Sequence, residues 1–436
     1  MKRLRRLSRP QSGPGQNRPQ AAPPEERTLD IAAMGARGDA VAAGPSGPIY
    51  APYALPGEQV RARVTGERAE LLEVITASPD RRAPACRHFG CCGGCQLQHW
   101  DEAATLAWKR EQVIQALARS KLGPEVEAVI PAWGVGRRRA AFHAEREGGK
   151  VRIGFIERGG ARLAPISMCP AIAPELEFML AKLAPLAELF LPARGEITLH
   201  CLLTDSGVDV AVKGAGGADK LERARLEAIA AAADAAGLAR LSLDGAPLVT
   251  RAKPVLRMGA ALVTPPPGAF LQPTALGEEI LARLVGEALA GAKRVIDLFS
   301  GVGTFALRLA EHAETLAVET DVEMLAALKA AADGAGGILK RVSILRRDLL
   351  RMPLSSLELK PFDAAVIDPP RSGARLQAEQ IGRAPIRRLA YVSCDPGSFA
   401  RDVKVLVDYG FSLTRVTPVD QFRWSPHVEI VGALER

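Results

Sequence analysis

The sequence predicts an α/β fold, with a parallel sheet in the C-terminal half, a mixed α+β segment before it and a small β-barrel near the N-terminus. Three observations carry this reading. Arg294-Val295-Ile296-Asp297-Leu298 reads as a buried strand, Phe299 to Gly303 as a glycine turn, and Thr304 to Leu307 as the start of a helix. Open α/β sheets build nucleotide sites from such a unit, because Gly301 and Gly303 let the backbone approach a ligand and a helix N-terminus offers free N–H groups. From there onward strand and helix patterns alternate, and Glu319, Asp348, Asp368 and Cys394 each stand at the end of an apolar run. Ligands of a parallel sheet gather at the strand C-termini, so that shared address points to one site. Residues 28–78, finally, repeat short alternating strands between Gly and Pro turns, as a five-stranded barrel of the OB type does.

Composition bounds the rest. A chain of 436 residues implies two or three domains, and 47% hydrophobic with 24% charged residues is globular. The formal net charge of +8 suits a polyanionic partner. The most apolar long segment, Ala171 to Ala193, is broken by Glu175, Glu177, Lys182 and Glu188, so neither a membrane span nor a signal peptide is expected. Seven unevenly spaced cysteines argue for reduced thiols and a cytoplasmic protein.

Residues 1–27, rich in Arg, Pro, Gln and Gly, read as a disordered basic tail. After the barrel, a domain over 79–260 opens on Cys86-Arg87-His88-Phe89-Gly90-Cys91-Cys92-Gly93-Gly94-Cys95. Four cysteines in ten residues, with glycines that let the loop wrap, signal a metal site, and Cys169-Pro170 offers a remote further ligand. Spacing leaves zinc and an iron–sulfur cluster both open, and does not choose between Cys91 and Cys92. Asp101 to Ser120 has the apolar spacing of an amphipathic helix. Arg137-Arg138-Arg139 begins a strand within reach of phosphate or solvent, and His200 and Cys201 read as core residues of an apolar strand. The last domain, 261–436, begins just before Ala269-Phe270-Leu271-Gln272, followed by a helix from Gly277 to Leu289.

Asp297-x-Phe299-x-Gly301-x-Gly303 with Glu319 resembles the S-adenosylmethionine site of class I, Rossmann-like methyltransferases, and lacks the third glycine of a dinucleotide fingerprint. An activated methyl group needs a nucleophile. Carbon 5 of uracil becomes one when a thiolate adds to carbon 6, after which a base must remove the carbon 5 proton so that the thiol leaves. Cys394 is a candidate for the thiol and Glu429, in His427-Val428-Glu429, for the base.

Taken together, these motifs resemble the iron–sulfur-containing branch of bacterial RNA (uracil-5-)-methyltransferases, nearest the 23S rRNA members. They include Cys86…Cys92-Gly93-Gly94-Cys95…Cys169, Phe270-Leu271-Gln272, Asp368-Pro369-Pro370-Arg371 and Ser393-Cys394-Asp395-Pro396. Met34-Gly35-Ala36-Arg37-Gly38-Asp39-Ala40-Val41 with Ala54-Leu55-Pro56-Gly57-Glu58 resembles the RNA-binding TRAM barrel. The resemblance implies a 4Fe–4S cluster on Cys86, Cys92, Cys95 and Cys169, with Cys91 spare. It implies an S-adenosylmethionine pocket lined by Gln272, Phe299, Thr304, Glu319, Asp348 and Asp368, with Cys394 as nucleophile and Glu429 as base. It implies a monomer acting on RNA, 23S rRNA rather than tRNA, and a helix near 101–120 packed on the last domain. Two residues depart from the usual pattern: Ser300 stands in place of cysteine and Asp395 in place of asparagine. A carboxylate at Asp395 is expected to raise the pKa of the neighbouring thiol unless it points away. A tRNA uridine-C5 methyltransferase is the nearest rival reading, followed by a non-catalytic RNA-binding factor and an exocyclic amino-methyltransferase.

Overall fold

The structure, a computed structural model, describes residues 23–217 and 221–436. The chain divides into two compact units, Met1–Pro79 and Asp80–Arg436. In the first, β1 (Glu25–Met34), β2 (Ala40–Gly44), β3 (Gly47–Ala51), β4 (Gln59–Thr65) and β5 (Arg68–Thr76) close into a barrel in the order β1-β2-β3-β5-β4. Alternation builds it: Val60, Ala62 and Val64 fill the interior, and Arg61 and Arg63 face outward. The segment read as a basic tail needs correction at its end. Residues 1–22 lie outside the described residues, but Glu25, Glu26 and Arg27 belong to β1 and pair with β4. Glu26 there meets Arg61 at 3.3 Å and Arg63 at 3.6 Å, cross-strand partners that a reading of local composition does not contain.

The second unit holds two large sheets. Its chain begins with the cysteine loop, α1 (Glu102–Arg119) and the short β6 (Ile130–Pro131). Asp101 caps α1 by accepting from the Ala103 and Ala104 N–H groups, which is why the helix starts where its apolar spacing does. Next come β7 (Arg139–Glu147), β8 (Lys150–Ile156), β9 (Leu163–Pro165), α2 (Pro174–Glu188), β10 (Glu196–Thr204), β11 (Gly207–Lys213), α3 (Arg223–Ala236), β12 (Leu238–Leu243) and β13 (Ala246–Thr250). These strands form a seven-stranded sheet, β13-β12-β11-β10-β7-β8-β9, with α2 and α3 on one face.

A hairpin of β14 (Leu256–Met258) and β15 (Ala261–Val263) leads to α4 (Ala275–Ala288). The second sheet is then built from β16 (Arg294–Leu298), α5 (Ala306–Leu309), β17 (Glu314–Glu319), α6 (Val322–Asp333), β18 (Val342–Arg346), β19 (Ala364–Ile367), α7 (Arg375–Arg383), β20 (Arg388–Ser393), α8 (Pro396–Asp408), β21 (Ser412–Asp420) and β22 (Glu429–Glu435). Its order is β18-β17-β16-β19-β20-β22-β21-β6. It is parallel from β18 to β20, but β22 enters antiparallel between β20 and β21, so the wholly parallel sheet expected from sequence is corrected.

Elements from before residue 131 complete this sheet. β6 pairs with β21, and Val113, Ala116 and Leu117 of α1 share a core with Ile296, Leu298, Phe399 and Leu406. On the same helix Lys109 is fully buried, its Nζ 2.7 Å from Asp420 Oδ1 and 3.2 Å from the Phe422 carbonyl. Removing one partner of such a buried pair costs about 3–5 kcal/mol, since the other charge is left stranded.

Candidate active site

Across the sheet, the strand ends set out the predicted residues in a row: Asp348 beyond β18, Glu319 closing β17, Phe299 and Gly301 beyond β16, Asp368 beyond β19 and Cys394 beyond β20. Neighbouring strands lie about 4.8 Å apart, so the row from Glu319 to Cys394 spans a ligand-sized cleft.

Local strain shapes the turn after β16. Phe299, a bulky residue, has φ +65°, a conformation tolerated where surrounding structure enforces it and met often at functional sites. At Gly303 (φ +100°) a Cβ would fall 2.9 Å from both Leu307 and Leu328, so no larger residue fits. Asp297, fully buried, accepts from the Ala306 N–H at 2.8 Å and pins the helix behind the turn. Burial, opposed by that hydrogen bond and reinforced by Asp368 and Glu319, pushes its pKa up to about 8. Glu319 accepts from the N–H groups of Gly301 (3.1 Å), Thr320 (2.6 Å) and Asp321 (3.1 Å). Thr304 stands at the start of the following helix, and Asp348 accepts from the Leu350 and Arg351 N–H groups in its own loop. Ser300 is buried, with no partner for its hydroxyl among the described residues.

The register of the inserted strand explains the other end of the row. Ser393 of β20 lies opposite Ile430 of β22, so the next pair outward is Cys394 and Glu429. Two residues far apart in sequence are thereby brought side by side, and Glu429 faces the thiol from a fully enclosed position. Burial and then the Asp368 charge push the Glu429 carboxyl up to about 8; Gln421 and Arg371 oppose the shift. Burial likewise holds Asp368 at about 7. The Cys394 thiol is pushed up to about 11 by burial, then by Glu429 and Asp368, against a hydrogen bond and a charge from Arg371.

Three residues of this site had no role in the sequence reading. Arg371 sets its positive charge near the Cys394 sulfur and donates to His427 Nδ1 at 2.6 Å. Gln421 donates to Gln272 Oε1 at 2.6 Å, Gln272 reaches Asp368 at 3.4 Å, and Gln421 acts on Glu429 to lower its pKa. This relay requires Gly277, where a Cβ would lie 2.5 Å from Gln421 Oε1. Lys109 holds the same end of the 421–428 loop through Asp420 and Phe422. The exception allowed for Asp395 is the case: its carboxylate caps α8 by accepting from the Ser398 N–H at 2.8 Å. The acids that raise the thiol pKa are Glu429 and Asp368 instead.

Cys86, Cys92, Cys95 and Cys169, all half-buried, line one cavity of about 340 Å³, whereas Cys91 is exposed and lies outside it. The His88 and Gly94 N–H groups each donate at 3.4 Å to a cavity sulfur, of Cys86 and Cys92 respectively. Burial, opposed by an Ala171 N–H and reinforced by the other three thiols, pushes Cys169 up to about 12, and at Cys95 the Arg137 charge works against the rise that burial causes. Among the described residues no group of three or more His, Cys, Asp or Glu is arranged to hold a single metal ion. No helix among them is long and apolar enough to cross a membrane.

Comparison with known proteins follows the same lines. The model of the tRNA (uracil-5-)-methyltransferase family matches residues 263–436. A protein of Caulobacter vibrioides named as an RNA methyltransferase is 45% identical, the alignment covering 94% of this chain and 99% of that one. The 23S rRNA (uracil(1939)-C(5))-methyltransferase RlmD of Chromohalobacter salexigens is 33% identical over 94% of this chain and 89% of its own. Among solved structures, the Pyrococcus abyssi tRNA (uracil-54, C5)-methyltransferase in complex with S-adenosyl-L-homocysteine superposes with a TM-score of 0.71 at 20% identity, over 94% and 100% of the two chains.

Proposed function

From the premise that this chain belongs to the S-adenosylmethionine-dependent RNA uracil-C5 methyltransferases, we propose that it methylates carbon 5 of a uridine in 23S rRNA through a covalent adduct on Cys394. The observation that carries the mechanism is the β20–β22 register, which sets a thiol and a buried carboxyl opposite each other at the end of the cofactor row. The RNA class is drawn from the relative that acts on 23S rRNA and aligns over most of both chains.

S-adenosylmethionine supplies an electrophilic methyl group on a sulfonium and, when bound, adds a positive charge near the strand-end acids. Glu319 would accept from its ribose hydroxyls, and Phe299, Gly301, Thr304, Asp348, Asp368 and Gln272 would line the rest of its pocket. The Cys394 thiol gives its proton to water and its sulfur bonds to uracil carbon 6, which leaves carbon 5 able to take the methyl. The Arg371 charge near that sulfur favours the thiolate both as attacking and as leaving group. Glu429 then removes the carbon 5 proton, the carbon 5–carbon 6 double bond re-forms and the thiolate departs. With a pKa raised to about 8, the carboxyl is a stronger base than an exposed glutamate, and a neighbouring cation would let it ionise. A target held inside folded RNA must leave its stack to reach this depth.

The four cavity cysteines fit a 4Fe–4S cluster better than zinc. They surround a void much larger than one ion needs, and their amide donors suit anionic sulfur. Cys86, Cys92, Cys95 and Cys169 would hold the cluster, whose contribution is structural. The closed barrel, as a TRAM-like module, would contact RNA flanking the target.

Mapping of 5-methyluridine in 23S rRNA and tRNA from cells with and without this gene tests the assignment. The expected result is one 23S rRNA uridine that loses its methyl without the gene. Loss confined to tRNA would move the substrate to the tRNA class, and no loss in either would favour a non-catalytic RNA-binding factor.

A further inference from the structure

The 421–428 loop begins with a side chain that is a burden to the fold. Gln421, the residue after β21, is fully buried, and its Oε1 has no hydrogen-bond partner among the described residues. An enclosed acceptor left unmet is unfavourable, and a methionine of similar length would fill the same space without that penalty. The space is also kept open from the other side. Gly277, in the first turn of α4, stands against the amide, and a Cβ there would lie 2.5 Å from Gln421 Oε1 and 2.9 Å from Gln421 Cβ. Packing does not account for an amide at this position, but its donors do.

A primary amide has two N–H donors. One of those on Gln421 goes to Gln272 Oε1 at 2.6 Å, and Gln421 also acts on Glu429, against the rise in pKa that burial causes there. With its oxygen engaged, Gln272 turns its own amide N–H groups toward Asp368, whose Oδ2 lies 3.4 Å away. The Gln272 backbone is fixed as well: Arg138, paired with Glu278, donates from Nε to the Gln272 carbonyl at 3.1 Å. Gln421 thus stands between a residue read as lining the cofactor pocket and the residue read as the base. The charged and titratable groups around Glu429 are Asp368, which opposes its ionisation, Arg371, which favours it, and the Cys394 thiol. Gln421 adds a neutral donor to that set.

We propose that Gln421 is a positioning residue for the release step: it fixes the Gln272 amide toward Asp368 and gives its second N–H to the Glu429 carboxylate, which takes the carbon 5 proton. The proposal rests on the reading of Glu429 as the base. In that step the electron pair of the carbon 5–hydrogen bond forms the carbon 5–carbon 6 double bond. The carbon 6–sulfur pair leaves on Cys394, and the proton ends on Glu429. Only the anion of Glu429 can do this, and a donor aimed at a carboxylate favours the anion. Without Gln421 the group stays protonated to higher pH, and the adduct waits.

Methyl transfer from radiolabelled S-adenosylmethionine to total RNA from cells lacking this gene, followed with the full-length protein from about pH 6 to 9, tests it. Gln421→Met should lower kcat about tenfold near neutral pH and change the KM for S-adenosylmethionine less than about threefold. The rising limb of its pH–rate profile should move up by about one unit, so that the deficit shrinks as pH rises. The RNA–protein adduct should build up on denaturing gels at low pH and clear at high pH. Gln421→Asn, which draws the amide back from Gln272, should shift the limb the same way, and it decides the question if Gln421→Met does not fold. A role in packing alone would give a loss equal at every pH and no adduct. That result, or a wild-type profile in the variant, overturns the proposal. Glu429→Gln separates the two readings: turnover kept there removes the base and this proposal with it. Turnover lost there, with a wild-type profile in Gln421→Met, removes the role of Gln421 alone.

Discussion

Two regions of this molecule enclose thiols, and they do so differently. At the rim of the eight-stranded sheet Cys394 stands alone between a carboxyl and a guanidinium. In the other region Cys86, Cys92, Cys95 and Cys169 line one cavity, and burial, reinforced by neighbouring thiols, raises the pKa of Cys92, Cys95 and Cys169. Cys201, enclosed in the seven-stranded sheet, touches the same cavity from β10 and is pushed above the ordinary thiol range by burial. The difference teaches that burial alone gives an inert thiol. A cation beside one sulfur gives a nucleophile, and sulfurs beside each other call for a shared metal centre.

The sharpest way to break this contrast is Cys394→Ala. Methyl transfer should fall by at least about 10³-fold, below detection in a routine assay, with S-adenosylmethionine binding retained by calorimetry. Glu429→Gln should lower turnover by about 10²–10⁴-fold and let an RNA–protein adduct accumulate on denaturing gels, because the sulfur can attack but not leave. Cys95→Ser should act on the other region: the absorbance near roughly 400 nm expected of thiolate-bound iron should vanish while Cys394 stays in place. Arg371→Gln should slow turnover about tenfold and move the rising limb of the pH–rate profile to higher pH, since Arg371 is what lowers the thiol pKa.

The same carboxyl makes a stability prediction. Glu429 has a folded-state pKa raised to about 8, so it keeps a proton that the unfolded chain has given up above its ordinary range. Its contribution is present at low pH and disappears as pH rises from about 4.5 to about 8. Denaturant midpoints should therefore fall more steeply between pH 6 and 9 in the wild type than in Glu429→Gln. Cys201→Ala should have the smallest effect: unchanged turnover and absorbance, at a cost of about 1–2 kcal/mol for the small cavity left.

Much of this was legible in the residues, for reasons specific to each place. The turn at Gly301 and Gly303 and the acids at the strand ends are local signals, and α1 announces its own start through Asp101. What sequence could not show was contact across distance. Gln421 meets Gln272 from 149 residues away, and Lys109 meets Asp420 from 311. Arg371 stood in a recognised motif, yet its charge acts on Cys394 only because β19 and β20 run side by side. The direction of Asp395 was equally hidden, since a cap and a free carboxylate read alike in sequence.

The insertion of β22 has a consequence for how the enzyme avoids harming its own substrate. A molecule equipped to attack but not to release would turn RNA into a covalent dead end. Here the same ladder of hydrogen bonds that steadies the strand before Cys394 also delivers Glu429, and a slip of one residue would turn that side chain to the opposite face. On the proposed roles, one strand pairing governs release, and a slipped sheet would keep the thiol and lose the base.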